Sequence, residues 1–356
     1  MGKESFEALI REWEGLGVVC RHDRQTDSWI FIAMHDDTLG RATGGTRLRV
    51  YPRPADGLVD AMRLAEGMTH KWAAIEMDAG GGKAVLALSR PLVGTERVGL
   101  LERYGALVES LRGSFATGED LGTTPADMLV LARCTRWVHG FDAEQDAMHD
   151  PGPYTAIGVF AGIRTALRRV FESDVVNDRS VLIQGVGDVG GPLARLCHDA
   201  GARLILSDID EARLGRVAAE LSAETVVPDA VDTTPCDVFA PCAVGAVLND
   251  ASIPRLRCRI VAGSANNQLH RVEHARQLHE RGILYAPDYV VNAGGALAFG
   301  LVGRGHAMDD ALKQRVEGLG EILAAILDEA AERDESPLDA AQRRVRRTLS
   351  RRGLEA

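Results

Sequence analysis

Two lysines, an aspartate and a set of glycine-rich turns hold the chemistry most readily legible in this chain. Lys71 closes Met68-Thr69-His70-Lys71, and Lys83 follows Gly80-Gly81-Gly82. Asp120 stands in Thr117-Gly118-Glu119-Asp120-Leu121-Gly122-Thr123-Thr124, and Gly44-Gly45-Thr46-Arg47 lies upstream of all three. An amine and a carboxylate that meet can exchange protons with a substrate, while a second lysine can hold a substrate anion as a fixed cation. Consecutive glycines ahead of Lys83 would let the backbone approach a small ligand closely. Taken singly, each lysine reads as a solvated surface residue and the aspartate as a helix cap.

A second chemical signal follows the apolar run Val181-Leu182-Ile183. Gly185-Val186-Gly187-Asp188-Val189-Gly190 is a GxGxxG at the mouth of a helix, followed by a second strand that ends at Asp208. In such a turn the first glycine permits the tight bend, the second lets N–H groups approach a pyrophosphate, and the third lets helix and strand pack closely. An acid at the second strand end can accept from both ribose hydroxyls and repel a 2′-phosphate, which favours NAD over NADP. The competing role for Asp208 is to cap the following helix.

Composition narrows the field. A formal net charge of −10 opposes binding to a phosphate backbone, and the basic stretch Arg343 to Arg352 reads as a solvated helix face. The six cysteines, Cys20, Cys134, Cys197, Cys236, Cys242 and Cys258, show no CxxC pair and no metal-ligand spacing, so they read as buried thiols in a reducing compartment and no metal site is expected. Met1 to Glu14 is charged and amphipathic, unlike a secretory signal, and no window nears the ~18 apolar residues of a membrane helix. A cytoplasmic protein without membrane or nucleic-acid partners is expected.

At 356 residues two domains with a cleft between them are expected. Strands are predicted over Gly17 to Cys20, Trp29 to Met34 and Lys83 to Leu88, and helices over Pro54 to Met68, Glu96 to Leu111 and Pro125 to Cys134, the last capped by Thr124. Gly140 to Pro153, acidic and aperiodic, reads as the linker. Beyond it strand and helix alternate: Ser180 to Gln184, Asp188 to Ala200, Arg203 to Ser207, Glu211 to Leu221, with later strands at Val238 to Ala240, Arg259 to Ala262 and Ile283 to Tyr285. That alternation predicts a parallel, doubly wound sheet. A long helix is predicted over Met308 to Arg333. The fold expected is α/β, with an α/β substrate domain (1–148), a Rossmann-type NAD domain (149–335) and a C-terminal helix (336–356) packing back on the first.

Together these segments resemble the glutamate/leucine/phenylalanine/valine dehydrogenases over nearly the whole chain. The likeness extends through Ala240-Pro241-Cys242-Ala243, Ala262-Gly263-Ser264-Ala265-Asn266-Asn267-Gln268-Leu269 and Tyr285-Ala286-Pro287-Asp288-Tyr289-Val290-Val291-Asn292-Ala293-Gly294-Gly295. The resemblance implies NAD-dependent oxidative deamination of an apolar L-amino acid to the 2-oxo acid and ammonia, reversible as reductive amination, in a homo-oligomer. It makes Lys83 the catalytic base, Asp120 its proton-shuttling partner, and Lys71 the cation for the substrate carboxylate. It places Gly44, Gly45, Gly118, Asn267, Val291 and Ala296 around the substrate. Thr155 and Asn292 would hold the nicotinamide carboxamide, and Arg47, Ala243 and Asn267 would meet the cofactor beside Gly185, Gly187, Asp188, Val189, Gly190 and Asp208.

Several positions depart from the leucine branch. Gly118 and Ala296 stand where Ala and Val are usual, enlarging the side-chain pocket as in phenylalanine dehydrogenases. Val247-Leu248-Asn249-Asp250 and Asn267-Gln268-Leu269 look instead like the valine and leucine branches. Thr43 replaces a usual Leu or Ala, and Leu297 to His306 lacks the family's Ala-Asp-Glu-Leu run. A glutamate-type enzyme would need a pocket cation that neither Gly118 nor Ala296 supplies. A non-catalytic NAD-binding regulator would leave Lys71, Lys83 and Asp120 without purpose, and a tetrahydrofolate-type dehydrogenase would leave the amino-acid motifs unexplained.

Overall fold

The computed structural model describes residues 6–142, 147–148, 150–302 and 308–353. Met1 to Ser5, much of the expected linker, and residues 303–306 of the atypical Leu297 to His306 segment lie outside these. The chain divides into two units, one of Met1–Asp150 with Arg347–Ala356 and one of Pro151–Arg346.

The first unit runs α1 (Phe6–Trp13), β1 (Gly17–Asp23), β2 (Ser28–Asp36), β3 (Ala42–Thr43), β4 (Thr46–Val50), α2 (Pro54–Ala74), β5 (Gly80–Leu88), α3 (Gly94–Ser110), β6 (Phe115–Ala116), α4 (Pro125–Ala132) and the short pair β7 (Phe141–Asp142) and β8 (Ala147–Met148). Its main sheet has the order β1-β2-β5-β3-β6, with β4 also beside β5. β2 is antiparallel to its neighbours β1 and β5, whereas β3 and β4 run parallel to β5. Every residue of β5 is buried, since both its faces are covered. Alternate side chains of a strand point to opposite faces. Ala84, Leu86 and Leu88 join a core with Leu100, Leu101 and Tyr104 of α3, while Val85 and Ala87 join one with Leu58, Ala61 and Ala65 of α2. Lys83 therefore shares the α2 side of the sheet. Thr124 caps α4 as expected, in a capping box with Asp127.

The second unit opens with a helix that the strand–helix alternation does not announce, α5 (Gly152–Phe171). Its buried face mixes the small residues Ala156, Gly158, Gly162 and Ala166 with Val159, Ile163 and Leu167 at helical spacing. There follow β9 (Ser180–Gln184), α6 (Gly190–Asp199), β10 (Arg203–Ser207), α7 (Glu211–Leu221), β11 (Glu224–Thr225), β12 (Val238–Pro241), β13 (Ile260–Val261), α8 (His274–Glu280), β14 (Leu284–Tyr285), α9 (Asp288–Val291), α10 (Gly294–Val302), α11 (Asp310–Glu317), α12 (Leu319–Arg333) and α13 (Pro337–Gly353). The sheet is parallel throughout, in the order β11-β10-β9-β12-β13-β14.

Two expectations change. The single helix over Met308 to Arg333 is two, broken at Gly318, where a second glycine, Gly320, lies against α5 and its carbonyl accepts from Thr165 Oγ1 at 3.2 Å. The cysteines are not uniformly buried: Cys20 is exposed on the edge strand β1, and Cys134 and Cys242 are half-buried. The end of α13, from Arg347 on, groups with the first unit, where Arg352 meets Asp78 at 3.2 Å. Among the described residues no helix is long and apolar enough to cross a membrane.

Candidate active site

Lys83 lies near the start of β5 with its amine 2.9 Å from Asp120 Oδ1, and both side chains are almost wholly shielded from solvent. Asp120 reaches it from the loop after β6, anchored by Thr123, whose hydroxyl donates to the carbonyls of Thr46 and Asp120. The other oxygen, Oδ2, accepts from Arg47 Nε at 2.9 Å. Burial drives the Lys83 ammonium below the usual lysine range; Asp120 opposes the shift and Arg47 adds to it. Burial alone would raise the Asp120 carboxyl, but Lys83 and Arg47 together hold it down to about 2. The pair is thus a carboxylate fixed in its charged form beside an amine made easier to deprotonate. Lys71, in the last turn of α2, is also buried.

The glycines around this pair serve a different purpose from the one their sequence suggests. A Cβ at Gly44 would run into the Gly82 carbonyl, one at Gly81 into the Thr69 hydroxyl, and one at Gly45 would fall 2.6 Å from the Glu119 carbonyl oxygen. They let β3, β4, β5, α2 and the Asp120 loop approach one another, so the close approach is between protein segments. Gly118 is the exception. A Cβ there would meet only His139, at 3.8 Å.

In the second unit the GxGxxG turn leaves β9 as expected. Gly185 has φ +93°, and a Cβ on it would fall 2.8 Å from that of Ala243. α6 begins at Gly190, two residues later than the periodicity predicts, and no side chain caps it, so its first N–H groups face the turn. Asp208 does not cap α7; Asp210 does, accepting from the Arg213 N–H. Asp208 instead accepts from the N–H of Val186 at 2.8 Å and of Asp210 at 2.9 Å, which turns its carboxylate toward the glycine turn. Arg213 Nη1 stands 3.8 Å from the same carboxylate and beside Gly187.

Further along, Asn292 donates to the Ser264 carbonyl and to Asn266 Oδ1, while its own Oδ1 is buried without a partner among the described residues. A buried acceptor left open asks for a donor. The amide of a nicotinamide is such a donor, so these residues fit NAD: a glycine-rich turn for the pyrophosphate, an acid for the ribose, an open acceptor for the carboxamide.

Comparison with known proteins agrees. Residues 22–137 match the model of the Glu/Leu/Phe/Val dehydrogenase dimerisation domain, and residues 206–343 that of the Glutamate/Leucine/Phenylalanine/Valine dehydrogenase domain. The chain belongs to the glutamate/leucine/phenylalanine/valine dehydrogenase family. Leucine dehydrogenase of Thermoactinomyces intermedius is 39% identical over 95% of this chain and 88% of its own length. Phenylalanine dehydrogenase of Lysinibacillus sphaericus is 42% identical over 75% of this chain and 71% of its own. The crystal structure of L-tryptophan dehydrogenase from Nostoc punctiforme covers 98% of this chain and 99% of its own, with TM-score 0.80 and 35% identity. As a family member the chain is an amino-acid dehydrogenase that uses NAD.

Measured against the family reading, the structure brings Lys83, Asp120, Arg47, Gly44 and Gly45 together in the first unit. Thr155 and Gly295 adjoin in the second, the Thr155 hydroxyl accepting from the Gly295 N–H at 3.2 Å and donating to the Pro151 carbonyl. Asn267 takes a left-handed φ of 53°, and its carbonyl accepts from the Ala246 N–H. Asp188 and Ala243 are exposed and Val189 and Ala296 half-buried. Two residues depart from their expected places. Val291, expected at the substrate, is fully buried, and a Cβ on Gly162 of α5 would meet its Cγ1. Arg47, expected to reach the cofactor, has its guanidinium between Asp120 and Asp60. Sequence reading missed Asp60 and Tyr51 altogether; an acid among the apolar positions Leu58, Ala61, Met62 and Leu64 of α2 was the available signal.

Proposed function

We propose that this chain oxidises large apolar L-amino acids, phenylalanine foremost with leucine and valine slower, to the 2-oxo acid and ammonium, and also runs in reverse. The observation that carries the reading is the buried Lys83–Asp120 pair, with Gly118, two residues before Asp120, where a Cβ would meet only His139 in ordinary contact at 3.8 Å. Lys71 holds the substrate carboxylate. NAD, when bound, takes up the hydride from the substrate Cα. Lys83, as the free amine, removes a proton from the water that attacks the resulting substrate imine, and Asp120 receives and returns the protons of the leaving amino group. One amino acid, one water and one NAD⁺ become one 2-oxo acid, one ammonium, one NADH and one proton. Asn292 Oδ1 and the Thr155 hydroxyl orient the carboxamide, and Ile209 and Val244, exposed apolar residues next to Asp208 and Ala243, offer apolar surface to the adenine.

In this reading the first unit is the substrate domain and the second the NAD domain. The dimerisation-domain match over residues 22–137 supports a homo-oligomer, and the low Lys and Arg balance supports small-molecule partners alone. A panel of L-amino acids, each assayed with NAD and NADP by absorbance of the reduced cofactor, tests the proposal. The expected order of kcat/KM is phenylalanine, leucine, valine. A valine or leucine optimum would mean that Thr43, buried with its hydroxyl on the Arg41 carbonyl, belongs to a narrower pocket; turnover of glutamate alone would overturn the apolar reading.

A further inference from the structure

Asp120 offers two carboxylate oxygens, and only one meets Lys83. The other is held by Arg47 Nε, while Nη1 of the same guanidinium donates to Asp60 Oδ2 at 3.0 Å. Asp60 is itself gripped: the Tyr51 hydroxyl donates to Oδ2 at 2.6 Å and Arg63 Nη2 to Oδ1 at 3.2 Å. Arg47, Asp60 and Asp120 are each nearly buried. A planar guanidinium donates along fixed directions, so an arginine held at one edge presents the other edge at a set angle. The local structure explains the alignment. β4 runs parallel to β5 with Arg47 opposite Val85. Thr46, buried, bonds Tyr104 and Thr117, and Leu48 enters the α3-side core, so alternation turns Arg47 to the α2 side, where Lys83 lies and α2 supplies Asp60.

We propose that Arg47 is a positioning residue: braced by Asp60 and Tyr51, it holds Asp120 by the oxygen that Lys83 leaves, and so fixes the carboxylate's orientation toward the lysine. This rests on the reading of Lys83 as the base. It assigns Arg47 to the substrate chemistry and removes it from the cofactor. The bracing also has an electrostatic consequence. The charged groups acting on Lys83 are Asp120 from the loop after β6, Arg47 from β4 and Asp60 from α2, which packs on β5 and also carries Arg63 and Lys71. Arg47 disfavours the Lys83 ammonium, whereas Asp120 and Asp60 favour it. Loss of Arg47 and loss of Asp60 should therefore move the lysine in opposite directions.

The test measures kcat and KM against pH, with NADH binding by fluorescence and thermal unfolding alongside, on the full-length enzyme and its Arg47→Gln, Arg47→Lys, Asp60→Asn and Lys83→Ala variants. Arg47→Gln should lower kcat ten- to a hundredfold, roughly the effect of a small misplacement of a catalytic group, and shift the acid limb of kcat to higher pH by roughly one unit. Arg47→Lys keeps the charge and loses the fork, so kcat should fall with the limb in place. Asp60→Asn should shift the limb to lower pH. NADH affinity should be unchanged in all. An acid limb unmoved in both Arg47→Gln and Asp60→Asn, or weakened NADH binding in Arg47→Gln, would overturn the proposal. If Arg47→Gln does not fold, the direction of the limb in Asp60→Asn decides. An active Lys83→Ala variant would overturn the underlying reading of the base, a result separate from these.

Discussion

The start of β5 and the turn after β9 each present a glycine-rich segment, yet the two are built to opposite ends. Around Lys83 the glycines bring protein segments into contact, and the charged side chains of Lys83, Asp120, Arg47 and Asp60 form a shielded cluster. At Gly185 to Gly190 three glycines open the backbone of the turn, with α6 starting uncapped and Asp208 accepting from the Val186 N–H. The difference teaches what each half can tolerate. A side-chain network loses function when one charge is removed, because the partners' protonation and orientation depend on it. A backbone cradle responds to added bulk, while single side chains on its rim adjust preference.

The most severe break should come at Lys83. Lys83→Ala should cut turnover by roughly 10²–10⁴-fold while NADH still binds, since the loss is confined to the first unit. Stopped assays with a fluorescence titration separate the two, and near-normal turnover would mean that β5 does not carry the base.

On the cradle the effect should be selective. With Asp208 in place kcat/KM for NAD should clearly exceed that for NADP, through ribose hydrogen bonds and repulsion of the 2′-phosphate. Asp208→Ala should raise NADP use, because Arg213, 3.8 Å from that carboxylate, then faces the phosphate unopposed. Equal efficiency of the two cofactors in the unaltered enzyme would show that Asp208 serves only the Val186 and Asp210 N–H groups.

The smallest change concerns the substrate side chain. Gly118→Ala meets only His139 and should fold normally. Together with Ala296→Val it should shift the Phe:Leu ratio of kcat/KM toward leucine, by an amount set by the ~1–3 kcal/mol that a hydrophobic pocket gains per methylene. A ratio that does not move would place neither position on the pocket wall.

Much of the second unit was readable from sequence. The strands Ser180–Gln184 and Arg203–Ser207 and the helix Glu211–Leu221 fall where periodicity puts them, because each is a local pattern bounded by turn residues. α5 went unassigned although Val159, Ile163 and Leu167 on its buried face carry the helical period, interleaved with Gly158, Gly162 and Ala166. In the first unit the motifs marked Lys83, Asp120 and Arg47, but no motif marked Asp60 and Tyr51, which brace Arg47.

What the sequence by itself determined is the chemistry present and its family: a strand–GxGxxG–helix whose order is local, an acid at the next strand end, and two lysines and an aspartate in motifs long enough to be specific. Tertiary structure alone decided the company those residues keep. Arg47 meets Asp60 across 13 residues and Asp120 across 73, and Lys83 meets Asp120, only because β4, α2 and the loop after β6 converge on one side of β5. Such contacts depend on sheet order and on which face each strand turns to the core, properties set by burial of the whole unit and carried by no short run of residues.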